Sequence, residues 1–390
     1  MTRFTSTTLA AGAALLVAFV QPALLGQGQP LPTEQSIGAL EPVFAFHDAM
    51  PTGVTVSAQG RIFVNFPRWG DDVPATVAEI RDGKLVPFPD AATNRFDPAS
   101  PGATLSSVQS VVVDPADRLW MLDTASPSFG PPIPDAAKMM AVDLATGAVV
   151  KRIVFPADVA IATSYVNDVR FDLRHGKAGV AYLTDSSLSG PGGIIVVDLD
   201  SGQSRRVLNG HVSTDVDPAF IPVVEGEVML LRPTSGKRLP FRVAADGIAL
   251  SADGETLYYS PLSSRHLYSV PTALLRDPKV TPEVLAAAVV DLGEKGASDG
   301  LEADDKGRVY VTDYEHNAIR RREVDGAWTT IAHDPRLLWP DTLSVARDGF
   351  IYVTANQVHR QPGFHEGVDK RVKPYSLFRV RIDAGPVSLK

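Results

Sequence analysis

From about residue 40 onward the chain alternates apolar and polar positions in short runs broken by Gly, Pro and Asp, with little sustained helical periodicity. That pattern predicts strands joined by tight turns. One grammar recurs six times: "TGVTVSAQGRIFVN" (Thr52 to Asn65), "QSVVVDPADRLWMLD" (Gln109 to Asp123), "NDVRFDLRHGKAGVAYLTD" (Asn167 to Asp185), "DGIALSADGETLYYS" (Asp246 to Ser260), "DGLEADDKGRVYVTD" (Asp299 to Asp313) and "DTLSVARDGFIYVTA" (Asp341 to Ala355). Each opens on a polar or turn residue, runs through an alternating strand, turns at Asp or Gly, and returns in a second strand rich in Tyr, Trp, Phe, Ile and Val. Units continue into a third strand, as in "MMAVDLATGAVVKRIVF" (Met139 to Phe155) and "GIIVVDLDSGQSRRVL" (Gly193 to Leu208).

Repetition of three- or four-stranded units predicts propeller blades. The expected fold is all-β, a six-bladed β-propeller with a central channel over residues 40–384. The last strand, "SLFRVRID" (Ser376 to Asp383), is placed to close the ring against the N-terminal "PVFAFHD" (Pro42 to Asp48), which removes free sheet edges. A two-domain all-β chain with three hairpin repeats in each half is the alternative. It is disfavoured because the same grammar occurs at both ends of the chain.

A propeller gives the polar strand ends a common address. The first strand of each blade lines the channel and the second returns antiparallel, so Thr52, Gln109, Asn167, Asp246, Asp299 and Asp341 form a ring at one mouth. Asn65, Asp123, Asp185, Ser260 and Asp313 lie beside them on that face. The turn pairs Asp253-Gly254 and Asp348-Gly349 fall at the opposite end, where turn formation accounts for them. Carboxylates converging on a narrow channel repel one another and must be protonated, paired or neutralised by a cation. Carboxylate and amide oxygens together suit a hard cation such as calcium. The competing explanation for each Asp is capping of local backbone N–H groups.

Composition narrows the partners. The 390 residues are 44% hydrophobic and 21% charged, with a formal net charge of -8 and no block of Lys or Arg. A nucleic-acid partner has no electrostatic footprint in such a chain. Residues 1–28 carry Arg3, the apolar run "LAAGAALLVAFV" (Leu9 to Val20) and a small-residue stretch, which read as a secretory signal; an uncleaved anchor helix is the alternative. A secreted protein, periplasmic or extracellular and without a membrane segment after signal removal, is therefore expected. There is no cysteine, hence no disulfide framework, thiolate site or lipoprotein anchor.

Arg68 and Trp69 of "FPRW", together with Trp339, flank channel-face positions and are placed to stack a flat ligand. The stretch from Asn209 to Arg242 exceeds what a blade connection needs and reads as a flap or an outer decoration, with His211 the histidine nearest a pocket. His365-Glu366 lacks the second His of a zinc-binding helix, and no G-x-S-x-G elbow, Walker loop or dinucleotide fingerprint occurs, so no nucleotide or organic cofactor is expected.

The stretches "GRIFVNFPRWGDDVPATVAEI" (Gly60 to Ile80), "LWMLDT" (Leu119 to Thr124), "SYVNDVRFD" (Ser164 to Asp172), "DGIALSADGETLYYSPLSSRHLYSVPTALL" (Asp246 to Leu275) and "WPDTLSVARDGFIYVTANQ" (Trp339 to Gln357) resemble the Yellow and royal jelly proteins. Bacterial members of that family are often described as dopachrome-tautomerase-related. The resemblance covers about Glu41 to Ile382 and implies a secreted six-bladed propeller with a small-molecule pocket at one channel end. Its implied roles range from tautomerising catechol-derived quinones, through binding biogenic amines, to no catalysis.

A more distant likeness is to the senescence-marker and gluconolactonase propellers, which hold a divalent cation with one Glu, two Asn and one Asp. Asn167 matches one Asn, Asp246 stands at the other and Asp299 matches the Asp, while Thr52 replaces the Glu and Tyr165 replaces a substrate-gripping Arg. The metal candidates, for calcium or another divalent cation, are therefore Asn167, Asp246 and Asp299. Such a cation would polarise a lactone carbonyl. A metal-free channel would leave one acid and one base to move a proton, and a third possibility is a binder of amines or phenols. The candidate catalytic residues are Asp246, Asp299 and Asp341; the candidate substrate-binding residues are Asn167, Asp168, Tyr165, Arg68, Trp339 and Asp123.

Overall fold

The computed structural model describes residues 35–390, so the expected secretory signal lies outside the described residues. Six four-stranded antiparallel sheets surround one channel. From the channel outward, blade 1 is Val54–Val56, Ile62–Asn65, Val77–Arg81 and Lys84–Pro87. Blade 2 is Val108–Val113, Arg118–Asp123, Lys138–Asp143 and Val149–Val154, and blade 3 is Val166–Asp172, Val180–Asp185, Gly193–Asp198 and Ser204–Val207. Ala245–Leu250, Thr256–Pro261, His266–Pro271 and Val290–Glu294 make blade 4. Leu301–Ala303, Val309–Asp313, Ala318–Arg322 and Trp328–His333 make blade 5.

Blade 6 is built from both ends of the chain. Pro340–Val345, Phe350–Ala355 and Tyr375–Arg381 are completed by Glu41–Phe46, which pairs antiparallel with Tyr375–Arg381. The closure expected from the sequence is thus present. Blade 6 is also tied to blade 1: the Thr354 hydroxyl donates to the Thr52 carbonyl and the Asn356 amide donates to the Pro51 carbonyl at 3.0 Å.

Alternation decides burial. Inner and second strands are largely buried on both faces because neighbouring blades cover them; Val180–Asp185 and Ala245–Leu250 are buried at every position. Outer strands such as Val149–Val154 alternate between buried or half-buried and exposed positions. Aromatics fill the wedges between blades, as where Trp120 of blade 2 stacks on Phe171 of blade 3 with ring centroids 5.2 Å apart. The turn glycines expected at the far end, Gly254 and Gly349, have φ of 73° and 82°. Left-handed backbone of this kind favours glycine.

Between blades 3 and 4 the stretch from Asn209 to Arg242 folds into two short hairpins, Val223–Val224 with Glu227–Val228 and Leu230–Leu231 with Leu239–Pro240. They dock on the connection within blade 6: Arg232 N–H donates to the Gly363 carbonyl and Glu366 N–H to the Arg232 carbonyl, at 2.8 and 3.0 Å. Among the described residues no helix is long and apolar enough to cross a membrane.

Candidate functional site

The start of the innermost strand carries the chemistry, and local backbone irregularity aims it. In blades 2, 3, 4 and 6 the register shifts at Gln109, Asn167-Asp168, Asp246-Gly247 and Asp341-Thr342 respectively. A bulge there turns a side chain out of the sheet. Glycine then brings neighbouring blades together. A Cβ on Gly247 would lie 2.5 Å from the Asp299 carbonyl, and one on Gly300 would lie 2.3 Å from that of Asp341. The Asp-Gly pairs that open these strands are therefore sites of close backbone approach, and they draw Asp246, Asp299 and Asp341 toward one another.

The resulting cavity has a volume of 220 Å³. Its floor is Gln109, Asn167, Asp246, Asp299 and Asp341, five of the six residues expected in the ring. Thr52 does not take part. Its hydroxyl donates to the Gln109 carbonyl at 3.2 Å and accepts from Asn65 Nδ2 at 2.8 Å. Trp69, Phe129 and Tyr165 make one wall: Trp69 stacks on Phe129 at 4.7 Å, and its Nε1 donates to the Tyr165 hydroxyl at 2.8 Å. That hydroxyl donates in turn to Gln109 Oε1 at 2.9 Å. Burial pushes the Tyr165 phenol well up, so it stays protonated. Leu231 and Phe241 of the insertion and Trp339 close the other side. The insertion is thus a cap on the channel mouth.

On the floor the buried carboxyls of Asp246, Asp299 and Asp341 line one cavity and perturb one another. Burial, and then the facing carboxylates of Asp299 and Asp341, push Asp246 well above the ordinary carboxyl range. Asp299 is pushed up to about 6, first by burial; Trp339 Nε1–H, 2.7 Å from its Oδ2, opposes the rise by stabilising the carboxylate. Asp341 also rises, through burial and the neighbouring Asp299, against hydrogen bonds from Asn356 Nδ2 at 2.6 Å and the Thr342 hydroxyl at 3.1 Å. The Asn167 amide, buried on the same floor, has no side-chain hydrogen bond among the described residues.

Trp339 is clamped. It stacks on Tyr314 with centroids 4.1 Å apart and planes 10° apart, and its backbone has φ of 55°. A bulky residue in the left-handed region costs about 1 kcal/mol or more and persists only where its surroundings hold it. The Tyr314 stack and the bond to Asp299 supply that hold.

Several expected site residues lie elsewhere. Asp123 is fully buried within blade 2, where it pairs with Lys138 Nζ at 2.8 Å and accepts from Ser106 and Ser107 N–H at 2.7 and 2.9 Å. It has no oxygen free for a substrate. The Arg68 guanidinium is spent on main-chain carbonyls, with Nε on Ser106 at 2.8 Å, Nη2 on Asn94 at 3.1 Å and Nη1 on Val73. Asp168 sits one residue beyond the floor, its Oδ1 accepting from the Ser110 hydroxyl and from Arg170 Nη1 at 2.8 and 3.0 Å. Arg170 also reaches Glu302 at 3.4 Å. His211 borders a separate groove beside Arg205 and Pro282. Burial and prior hydrogen bonding keep Thr52, Asp123, Arg68 and Asp168 from the cavity, whereas His211 simply lies at another groove.

The arrangement does not fit a cation held by Asn167, Asp246 and Asp299. The Trp339 indole N–H occupies an Asp299 oxygen and the Ser186 hydroxyl occupies an Asp246 oxygen, so two of the three expected ligands already accept from protein donors. No group of three or more His, Asp or Glu among the described residues is arranged to hold a metal ion.

Comparison with known proteins places this geometry in a lineage. The profile of the major royal jelly proteins matches residues 106–381, from just before the first strand of blade 2 to the end of the last strand of blade 6. The chain belongs to the major royal jelly protein family. Protein yellow of Drosophila erecta is 28% identical over 249 residues, which cover 59% of this chain and 42% of that protein. For protein yellow of Drosophila melanogaster the identity is 27% with the same coverage. The chain therefore matches less than half the length of these curated relatives. Among solved structures, a calcium-binding regucalcin of Agrobacterium tumefaciens superposes with a TM-score of 0.53 at 13% identity, covering 88% of this chain and 95% of that one. A gluconolactonase of Xanthomonas campestris gives 0.52 at 12%, covering 90% and 99%. These two likenesses are of fold. The royal jelly profile includes all five floor residues but stops short of Trp69, which blade 1 contributes.

Residues that sequence reasoning missed come mostly from irregular segments. Phe129 lies in "SPSFGPPIP", where an aromatic amid prolines was the available signal. Ser186, whose hydroxyl donates to Asp246 Oδ2 at 2.9 Å, directly follows the structural Asp185.

Proposed function

We propose that this protein binds a small planar molecule bearing a ring carbonyl or hydroxyl and moves a proton within it, as a tautomerase of the catechol-derived quinone type. The observation that carries the reading is the set of buried acids Asp246, Asp299 and Asp341 on the floor of an aromatic-walled cavity. An apolar cavity of about 150 Å³ accommodates benzene, so 220 Å³ suits one substituted ring.

The environments of the two carboxyls assign their roles. Asp299, stabilised as carboxylate by Trp339 N–H, is the base that removes a proton from a ring-adjacent carbon. Asp246, faced by two other carboxyls, keeps its proton and is the acid that delivers it to the substrate oxygen. One C–H bond breaks and one O–H bond forms, with no net change in protons. Passage of a proton from Asp299 to the neighbouring Asp246 resets the pair. Asn167, with an uncommitted amide, orients the substrate oxygen.

Incubation with dopachrome, followed by loss of its visible absorbance, tests the reading; simple lactones with and without added calcium or a chelator form the comparison. Chelator-insensitive turnover of dopachrome is expected. Calcium-dependent lactone hydrolysis, or tight binding of phenols and amines without turnover, would replace it. We also propose export, supported by the apolar Leu9 to Val20 run and tested by fractionating the producing cell.

A further inference from the structure

Proton transfer engages blades 3 to 5 and leaves the blade 2 side of the cavity without a role. Gln109, buried at the bulge in the first strand of that blade, lines the floor there. The inner strands neighbour one another in chain order around the channel, so blade 2 lies across it from blade 5, whose first strand Asp299 precedes.

The Gln109 amide is held in one orientation. An indole N–H can donate but not accept, so Trp69 Nε1, 2.8 Å from the Tyr165 hydroxyl, makes that oxygen an acceptor. The phenol then spends its own proton on Gln109 at 2.9 Å, and the atom that receives it is the carbonyl Oε1. Nε2 is left as a donor with no protein partner among the described residues, and it is not sealed off from the cavity that Gln109 lines. The main chain behind it is fixed as well: the Gln109 carbonyl accepts from Thr52 Oγ1 at 3.2 Å and from Asn65 Nδ2 at 2.9 Å. Other donors around the cavity are spent on protein, Ser186 on Asp246 at 2.9 Å and Trp339 on Asp299 at 2.7 Å. Amide donors on blades 2 and 3 thus face carboxyls on blades 4 to 6.

We propose that Gln109 is a specificity-determining residue of this cavity: its Nε2–H donates to an acceptor oxygen on the bound ring, so the site takes rings bearing a carbonyl or carboxylate oxygen in preference to ring amines. This rests on the reading of the cavity as the seat of one planar ring. It adds a second oxygen to that ring, held at blade 2 while the carbon that loses its proton faces Asp299 across the channel. An ammonium at the same place meets an N–H and finds Oε1 already taken, and a buried charge without a partner is costly. Because the donor is fixed before the ligand arrives, little ordering remains to be done on binding. Trp69 and Tyr165 act through Gln109 and are positioning residues.

Three phenols of one size read the selectivity: 4-hydroxybenzaldehyde, 4-ethylphenol and 4-hydroxybenzylamine, which differ in carrying a formyl, an ethyl or an aminomethyl group. Calorimetric titration gives the affinity of the wild type, Gln109→Leu and Gln109→Glu for each. Relative to 4-ethylphenol, the aldehyde should lose about fivefold to tenfold in Gln109→Leu, the worth of roughly one hydrogen bond. Gln109→Glu keeps an acceptor for Tyr165 and turns a second oxygen to the cavity, so it should lose the aldehyde and gain the amine. Tyr165→Phe, which frees the amide to rotate, should narrow the aldehyde-to-ethyl ratio. The same ratio in the wild type and a folded Gln109→Leu overturns the role of Gln109 and leaves the acids of the floor standing. Failure of all three phenols to bind the wild type defeats the ring-binding reading, and this role with it. A shifted ratio in a protein that does not turn over dopachrome upholds Gln109 and removes the proton transfer alone. Should Gln109→Leu not fold, Gln109→Glu carries the comparison; failure of both to fold makes Gln109 a folding residue and overturns the proposal.

Discussion

Replacing Asp299 by Asn separates charge from geometry at the centre of the site. The Asn Oδ1 still accepts from Trp339 Nε1, so that hydrogen bond survives while the titrating proton does not. In the wild type Asp299 rises from 3.8 to about 6 on folding. A raised carboxyl binds its proton more tightly in the native state, so stability is full below the unfolded value and falls as pH climbs toward the folded one. Roughly two units at 1.36 kcal/mol each make about 3 kcal/mol, lost between about pH 4 and pH 6 and not regained above. The asparagine variant carries no such term. Thermal unfolding followed by far-ultraviolet circular dichroism from pH 4 to 8 should show Asp299→Asn gaining on the wild type by a few degrees across that window, and dopachrome turnover should vanish. Parallel pH curves for the two proteins would refute the reasoning, because they would mean that Asp299 titrates as it does in the unfolded chain.

Asn167→Ala should weaken binding of a phenolic or quinone ligand about fivefold to tenfold, the worth of roughly one hydrogen bond. Its stability should stay within about 0.5 kcal/mol, because the amide it removes bonds to no other side chain; calorimetric titration and urea unfolding measure the two. Lys138→Met should behave in the opposite way, costing about 3 kcal/mol in urea unfolding by leaving Asp123 as an uncompensated buried charge. Ligand affinity of the folded Lys138→Met protein should match the wild type.

Much of the architecture could be read from the chain because a propeller repeats its instructions. Six period-2 strand pairs, each starting on a polar residue, specify six inner strands and one mouth, and five of the six starting residues do meet there. The exception, Thr52, shows where pattern stops. A short hydroxyl that finds the Gln109 carbonyl turns away from the channel, and that bond depends on the neighbouring blade. Phe129, Leu231 and Phe241 were not singled out for another reason: they belong to segments without alternation, whose course pattern does not set. Asp-Gly pairs carry two meanings that pattern alone does not separate. At Asp253-Gly254 the glycine makes a turn, whereas at Asp246-Gly247 it admits the Asp299 carbonyl, and the dipeptide is the same.

The same ambiguity runs through the acidic residues at this mouth, and the supply of cations resolves it. Asp123 has Lys138, Asp185 has Arg206 and Asp313 has His316, all at the ends of second strands and all bonded within their own blade. These carboxylates are compensated, so their charges reinforce the blades and have nothing left to give a substrate. Asp246, Asp299 and Asp341, at the starts of first strands, are bonded to hydroxyls, an amide and an indole, and to no cation among the described residues. Keeping three such groups together costs stability, most of all when they are ionised. A fold under selection for stability alone would replace them, since a buried, unpaired acid is worth less than an apolar residue of its size. Their retention side by side, beneath an aromatic cavity, is the physical case that this mouth performs chemistry.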